Sequence, residues 1–262
     1  MNSSEFRMPG LEGKVVVFAG AGGIATAAAT YLGASGAKLV VGDLLQESAE
    51  RTAQAARDAG GDAIAVKADL SVESDIRHLV AAAIEKFGKL DGLFNVAAEL
   101  APEVFGRDTK VADMPLEVWQ RTFDVNLTGF MLATKYAMPH LVESGYGSIV
   151  NLMSDAAYLV GVSQLAYASS KAGIGGLMRH VASVYGSDNV RSNSIAPGMV
   201  LTPNAMAVIS EEMREELQRA TPLPRLGRPE DIGAMAAFFL SDLSGWITGQ
   251  VISVSGGQVM RA

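Results

Sequence analysis

Cysteine is missing altogether from these 262 residues, which excludes disulfides and thiol catalysis and fits a reducing, cytoplasmic setting. Histidine is scarce, and His78, His140 and His180 share no ligand spacing, so no metal site is expected. No run of five like charges occurs. With a net charge of −7 the chain lacks the basic footprint of a nucleic-acid binder. Repeats, low-complexity tracts and linkers are absent too, so a single domain over 1–262 is expected, with residues 1–7 as a loose tail. One stretch, 15–37, has no charge and on length alone would cross a membrane. Its glycines at 20, 22, 23, 33 and 36 would weaken a spanning helix, so a strand, a tight turn and a buried helix are expected, with no membrane partner.

Apolar residues are plentiful. They make up 49% of the chain against 19% charged, enough for a large core. Apolar, β-branched runs at 15–18, 39–41, 63–66, 90–94, 148–152, 190–195 and 251–254 read as strands, mostly continuous in the manner of strands covered on both faces. Helical patterns lie between them at 24–35, 46–59, 72–87, 116–143, 165–185 and 230–240, with Ser71 expected to cap the third. This alternation predicts an α/β, Rossmann-type, doubly wound parallel sheet flanked by helices on both faces. Ligands bind such sheets at the carboxyl ends of their strands. Two stretches, 99–113 and 197–224, read as irregular loops near that edge.

Gly20-Ala21-Gly22-Gly23-Ile24-Ala25 follows a strand and opens a helix, the setting in which a G-x-G-x-x-A loop holds a pyrophosphate at a helix N-terminus. Asp43 ends the second strand, 20 residues after Gly23. A carboxylate there accepts hydrogen bonds from both hydroxyls of an adenine ribose and repels a 2′-phosphate, which favours NAD over NADP. Asp69, ending the third strand, has two readings of equal weight: contact with the adenine amino group, or a cap for the next helix. Asp155, next to Ser154, is read as a solvated or capping carboxylate.

Tyr167 and Lys171 stand four residues apart in Tyr-Ala-Ser-Ser-Lys, about one helical turn, so phenol and ammonium share a face. A fixed cation there is expected to lower the phenol's pKa from its ordinary value of ~10 toward working pH. Ser154, at a strand end, can hold a substrate oxygen against the tyrosine.

Taken in order, these motifs resemble the short-chain dehydrogenase/reductase family, in its single-domain branch, from residue 11 to residue 257. The resemblance implies a seven-stranded sheet and a homotetramer or homodimer. It implies Ser154 as the substrate-orienting hydroxyl, Tyr167 as acid/base, and Lys171 as the lysine that binds nicotinamide ribose. Asn126, in Asp-Val-Asn-Leu-Thr-Gly, is the implied support of a water-linked proton relay. The implied cofactor contacts are Gly20, Gly22, Gly23, Ile24, Asp43, Asp69, Leu70, Asn95, Ala97, Tyr167, Lys171, Pro197, Gly198, Val200 and Thr202. Two departures stand out. The glycine loop is one residue shorter than the family pattern and lacks its threonine, and Asn95-Val-Ala-Ala replaces Asn-Asn-Ala-Gly.

The expected activity is NAD-dependent interconversion of a small-molecule secondary alcohol and its ketone, with an apolar or alicyclic substrate suggested by Leu100, Phe105, Met199 and Met206 in the loops. Two alternatives stay open. One is an NADPH-dependent 3-oxoacyl thioester reductase, which Asp43 speaks against. The other is a non-catalytic NAD-binding sensor, which would not need the Ser–Tyr–Lys set.

Overall fold

Continuous apolar runs become β1 (Val15–Ala19), β2 (Lys38–Asp43), β3 (Asp62–Lys67), β4 (Gly92–Asn95), β5 (Gly147–Leu152), β6 (Val190–Pro197) and β7 (Val251–Val254). In the computed structural model they pair in one parallel, seven-stranded sheet of order β3-β2-β1-β4-β5-β6-β7. Residues 7–159 and 163–260 are described; apart from Arg7, the expected tail lies outside them. The strand order reverses between β1 and β4, which opens a crevice at the carboxyl edge.

The two-residue period of β1 divides the core. Val16 and Phe18 face α1 (Gly23–Ala34), α2 (Gln46–Asp58) and α10 (Pro229–Leu240), where Leu32, Ala53 and Ile232 are buried. Val15, Val17 and Ala19 face α3 (Glu73–Phe87) and α6 (Gly129–Glu143), packing with Leu79, Ala133 and Ala137. Layers of helix thus cover both faces, as strands apolar on each side require. The uncharged stretch at 15–37 is a strand, a turn and a helix, and among the described residues no helix is long and apolar enough to cross a membrane.

Three expectations need correcting. The helix expected over 116–143 is α5 (Leu116–Phe123) and α6, joined by a π-helical turn, Asp124–Thr128. One extra residue per turn barely disturbs an apolar pattern, so the change of winding is silent in sequence. The loops expected to be irregular contain α4 (Pro102–Phe105), α8 (Pro203–Val208) and α9 (Glu211–Arg219). Among its described side chains α9 buries none. Ser71 does not cap α3: Val72 is the N-cap residue, with no side-chain bond, and the Ser71 hydroxyl donates to Asp69.

At the edge opposite the crevice, Arg191 on β6 donates to Phe239 O, Ser241 O and the backbone and side-chain oxygens of Ser244. This guanidinium serves the carbonyls that end α10. Arg191→Leu is expected to lower unfolding free energy by roughly 3 kcal/mol, because several buried acceptors lose a charged donor at once. Urea unfolding monitored by circular dichroism checks this; a loss below about 1 kcal/mol would mean that water replaces the side chain.

Candidate active site

The glycine loop joins β1 to α1. Gly20 has φ 120° and Gly22 has φ 110°, both in the region that side chains avoid. A Cβ on Gly20 would sit 2.5 Å from Ala97 N, so protein backbone already fills that side. A Cβ on Gly22 would meet nothing within 4 Å. Gly22 is also the N-cap of α1 and supplies no side-chain cap, which leaves first-turn N–H groups available to an anion. Asp43 lies beside them. Its Oδ2 accepts the Ala21 N–H and its Oδ1 the Leu45 N–H, each at 2.9 Å, and each oxygen keeps capacity for a second donor. Donor set, open cradle and carboxylate fit a dinucleotide.

Asp69 follows β3 and neither caps α3 nor stands free. Its Oδ1 accepts from the N–H and hydroxyl of Ser71, with Arg121 Nη1 at 3.5 Å. Burial alone would raise this carboxyl's pKa, but the Ser71 bonds and the Arg121 charge bring it below the ordinary value. Leu70, next along, is buried. Arg121 Nε also donates to Glu99 Oε2 at 2.8 Å, linking the loops that follow β3 and β4.

Asn95 differs from expectation. Its side chain is fully buried and donates to Asn151 Oδ1 at 2.9 Å, which turns it into the sheet and away from the ligand edge. The register sets this, since Asn95 stands opposite Asn151 in the β4–β5 pair. Ala97 remains at the edge, where its carbonyl accepts from Lys171 Nζ at 3.3 Å.

Asn126 occupies the π turn. Its Oδ1 accepts the Glu99 N–H at 2.7 Å and its Nδ2 donates to Ser170 Oγ at 3.0 Å. The side chain is fully buried and engaged at both ends.

Ser154 follows β5, and Tyr167 and Lys171 lie in the first turns of α7 (Leu165–Val184). Ser154 lies close enough to the Tyr167 phenol to lower its pKa, and its hydroxyl accepts the Ala156 N–H at 3.2 Å. Lys171 Nζ lies 5.8 Å from the Tyr167 ring centroid and donates to Leu152 O at 2.9 Å. The expected trio is therefore one cluster, but its electrostatics are not those expected. Burial raises the Tyr167 pKa above its ordinary value, with the neighbouring Ser154 acting in the opposite sense. Burial also lowers the Lys171 pKa to about 7. Lys171 is only 1% exposed, and a side chain stripped of water releases its proton too readily to act as a fixed cation above neutrality.

Asp155 is buried rather than solvated, and its Oδ1 accepts the Ser253 hydroxyl at 2.8 Å. Tyr158 is 40% exposed, with its hydroxyl 4.0 Å from Met153 Sδ. Pro197 ends β6, and the Gly198 N–H donates to Val254 O. Val200 bridges to Gly227, and the Thr202 hydroxyl accepts the Ala205 N–H as the cap of α8. That cap leans over the glycine loop: a Cβ on Gly23 would lie 3.2 Å from the Thr202 and Pro203 side chains.

Several residues of this region carry no local sequence signal. Glu99 and Arg121 are two, and Asp108 is a third. Asp108 accepts the N–H groups of Ala166 and Tyr167, and the Phe105 ring meets the Tyr167 ring edge-on at 5.6 Å. Ser170 alone had a clue, since it sits inside Tyr-Ala-Ser-Ser-Lys.

The chain is similar to known proteins over most of its length. A family model described as enoyl-(acyl carrier protein) reductase matches residues 19–258. The 7α-hydroxysteroid dehydrogenase of Escherichia coli (strain K12) is 35% identical, covering 99% of this chain and 98% of that protein. A cis-4-hydroxycyclohexanecarboxylate dehydrogenase of Sinomonas cyclohexanicum is 33% identical, covering 92% and 94% respectively. Among solved structures, a 7α-hydroxysteroid dehydrogenase complexed with NADH and 7-oxo glycochenodeoxycholic acid superposes with a TM-score of 0.86 at 34% identity, covering 100% of this chain and 99% of the other.

Proposed function

The chain belongs to the short-chain dehydrogenase/reductase family, and on that footing we propose that it is an NAD-dependent dehydrogenase that interconverts an apolar or alicyclic secondary alcohol and its ketone. The observation that carries this reading is the gathering of Ser154, the Tyr167 phenol and the buried Lys171 amine, 5.8 Å from that ring, at the carboxyl edge of the sheet. A protein that only binds a dinucleotide has no use for a phenol set beside a hydroxyl in this way.

Gly20, Gly22, Gly23 and Ile24 would hold the pyrophosphate, Asp43 the adenine ribose, and Pro197, Gly198, Val200 and Thr202 the nicotinamide end. When bound, NAD supplies the hydride acceptor for alcohol oxidation. Everything else falls to the chain. Ser154 fixes the substrate oxygen against the Tyr167 hydroxyl. The raised pKa keeps the phenol protonated near neutrality, which suits donation to a ketone oxygen. In the oxidative sense Tyr167 has to lose that proton first, so alcohol oxidation gains as pH rises. Lys171, with a pKa of about 7, can take up and release a proton at neutral pH and so serve the onward relay.

Substrate class is inferred from the walls and from relatives that act on ring alcohols. Leu100, Met206 and Tyr158 expose apolar surface in segments that border the site. The test is a panel of secondary alcohols with NAD or NADP, and of their ketones and 3-oxoacyl thioesters with NADH or NADPH, at equal cofactor concentration and followed by absorbance of the reduced nicotinamide. Activity confined to NADPH and 3-oxoacyl thioesters would replace this reading with a thioester reductase.

Asp43→Asn probes cofactor choice. One of its two acceptor oxygens becomes a donor group and the charge is lost, so KM for NAD is expected to rise about tenfold while turnover at saturation stays within about twofold. Initial-rate kinetics with both cofactors read this out. An unchanged preference for NAD would show that Asp43 does not choose the cofactor.

A further inference from the structure

The N-terminus of α7 is held by a carboxylate from far away in the sequence. Gln164, the N-cap residue, makes no side-chain cap bond. Asp108 Oδ1 instead accepts the Ala166 N–H at 2.9 Å, and its Oδ2 accepts the Tyr167 N–H at 2.8 Å. The two donors belong to residues 58 and 59 positions later in the chain. Asp108 is only 5% exposed, so water offers the pair little replacement. The same segment reaches the tyrosine a second time. Phe105, which ends α4, sets its ring perpendicular to that of Tyr167, with centroids 5.6 Å apart. Asp108 and Phe105 are themselves tied by a backbone bond from Asp108 N–H to Phe105 O at 3.2 Å. One short stretch therefore grips Tyr167 at its backbone and at its ring.

We propose that Asp108 is a positioning residue for the reaction: its carboxylate fixes the first turn of α7, Phe105 fixes the ring, and together they hold the phenol in place beside Ser154. The inference rests on the reading of Tyr167 as acid/base. Geometry gives the reason such a device is useful. A phenol hydroxyl stands well out from its backbone, so a small tilt of the first helical turn is magnified at the oxygen. Proton transfer is sensitive to displacements on the scale of ~1 Å. A cap drawn from within the helix would steady the helix alone. This cap couples Tyr167 to the segment that forms the wall beside it.

The experiment compares Asp108→Ala and Asp108→Asn with wild type, using NAD with cyclohexanol and with a 7α-hydroxysteroid as probes. Asp108→Ala is expected to lower kcat about 10- to 100-fold while leaving KM for NAD within about twofold, because the glycine loop and Asp43 are untouched. Asp108→Asn keeps one acceptor oxygen and should recover a large part of that loss. The decisive arm is a double-mutant cycle with Tyr167→Phe. Once the hydroxyl is gone, adding Asp108→Ala should change the residual rate by less than about twofold, since nothing remains to position.

A general defect in folding would instead multiply the two losses, and that result overturns the proposal. It is equally overturned if Asp108→Ala keeps wild-type kcat. Should the alanine variant fail to fold, Asp108→Asn decides: full wild-type kcat in that variant overturns the positioning role, and an intermediate kcat with unchanged KM for NAD supports it. Full activity of Tyr167→Phe, or no NAD reduction by wild type with either probe, defeats the parent reading and this one with it. A silent Tyr167→Phe beside a fully active Asp108→Ala defeats this one alone.

Discussion

Tyr167→Phe is expected to lower turnover by about 10³-fold or more and to leave dinucleotide affinity within about twofold. Phenylalanine fills the same volume and keeps the edge-on contact with Phe105, so the variant removes one hydroxyl and little else. What goes is the proposed proton donor beside Ser154. Burial raises the phenol's pKa, which means that folding already disfavours its charged form, and the loss of that group should cost no more than about 1 kcal/mol of stability. A large kinetic effect on a nearly unchanged fold is the signature sought. Single-turnover hydride transfer and titration of reduced-nicotinamide fluorescence measure the two halves. Turnover within tenfold of wild type would mean that another group handles the proton.

Lys171→Met should slow turnover about 10²- to 10³-fold and should also change how stability depends on pH. The amine titrates at about 7 in the folded chain, against an ordinary 10.5. Between those values the unfolded chain carries a proton that the folded chain has shed, so wild-type stability gains as pH rises across the window. Below 7 both states are protonated and the contribution stays at its minimum. Methionine does not titrate. The unfolding free energy of wild type relative to the variant should therefore climb from pH 7 to about 10, by an amount on the order of 4 kcal/mol. Urea unfolding of both proteins at three pH values tests this. Parallel profiles would show that water reaches the amine and that burial does not govern it.

The particular residues explain how much could be read in advance. Val15–Ala19 and Gly147–Leu152 are buried along their whole length, so their strands declare themselves as unbroken apolar runs. The glycine loop, Asp43 and the Tyr167–Lys171 spacing are local patterns whose geometry follows from a strand, a turn or one helical turn. What stayed hidden depends on contacts across the fold. Asn95 faces inward because β4 happens to register against β5, and no short window contains both asparagines. The pKa of Lys171 is set by its burial, which comes from elements brought together across the fold. A cation was expected where the surroundings favour a neutral amine. Asp108 is the extreme instance, a helix cap whose helix begins more than fifty residues later.

The brace between Asp43 and the glycine loop bears on how a visitor would be received. Both carboxylate oxygens already hold N–H groups of this chain, one from Ala21 and one from Leu45. The turn thus surrenders its conformational freedom during folding, and docking of a rigid pyrophosphate demands little further ordering of the receptor. Preorganisation of this kind favours rapid arrival with modest entropic opposition.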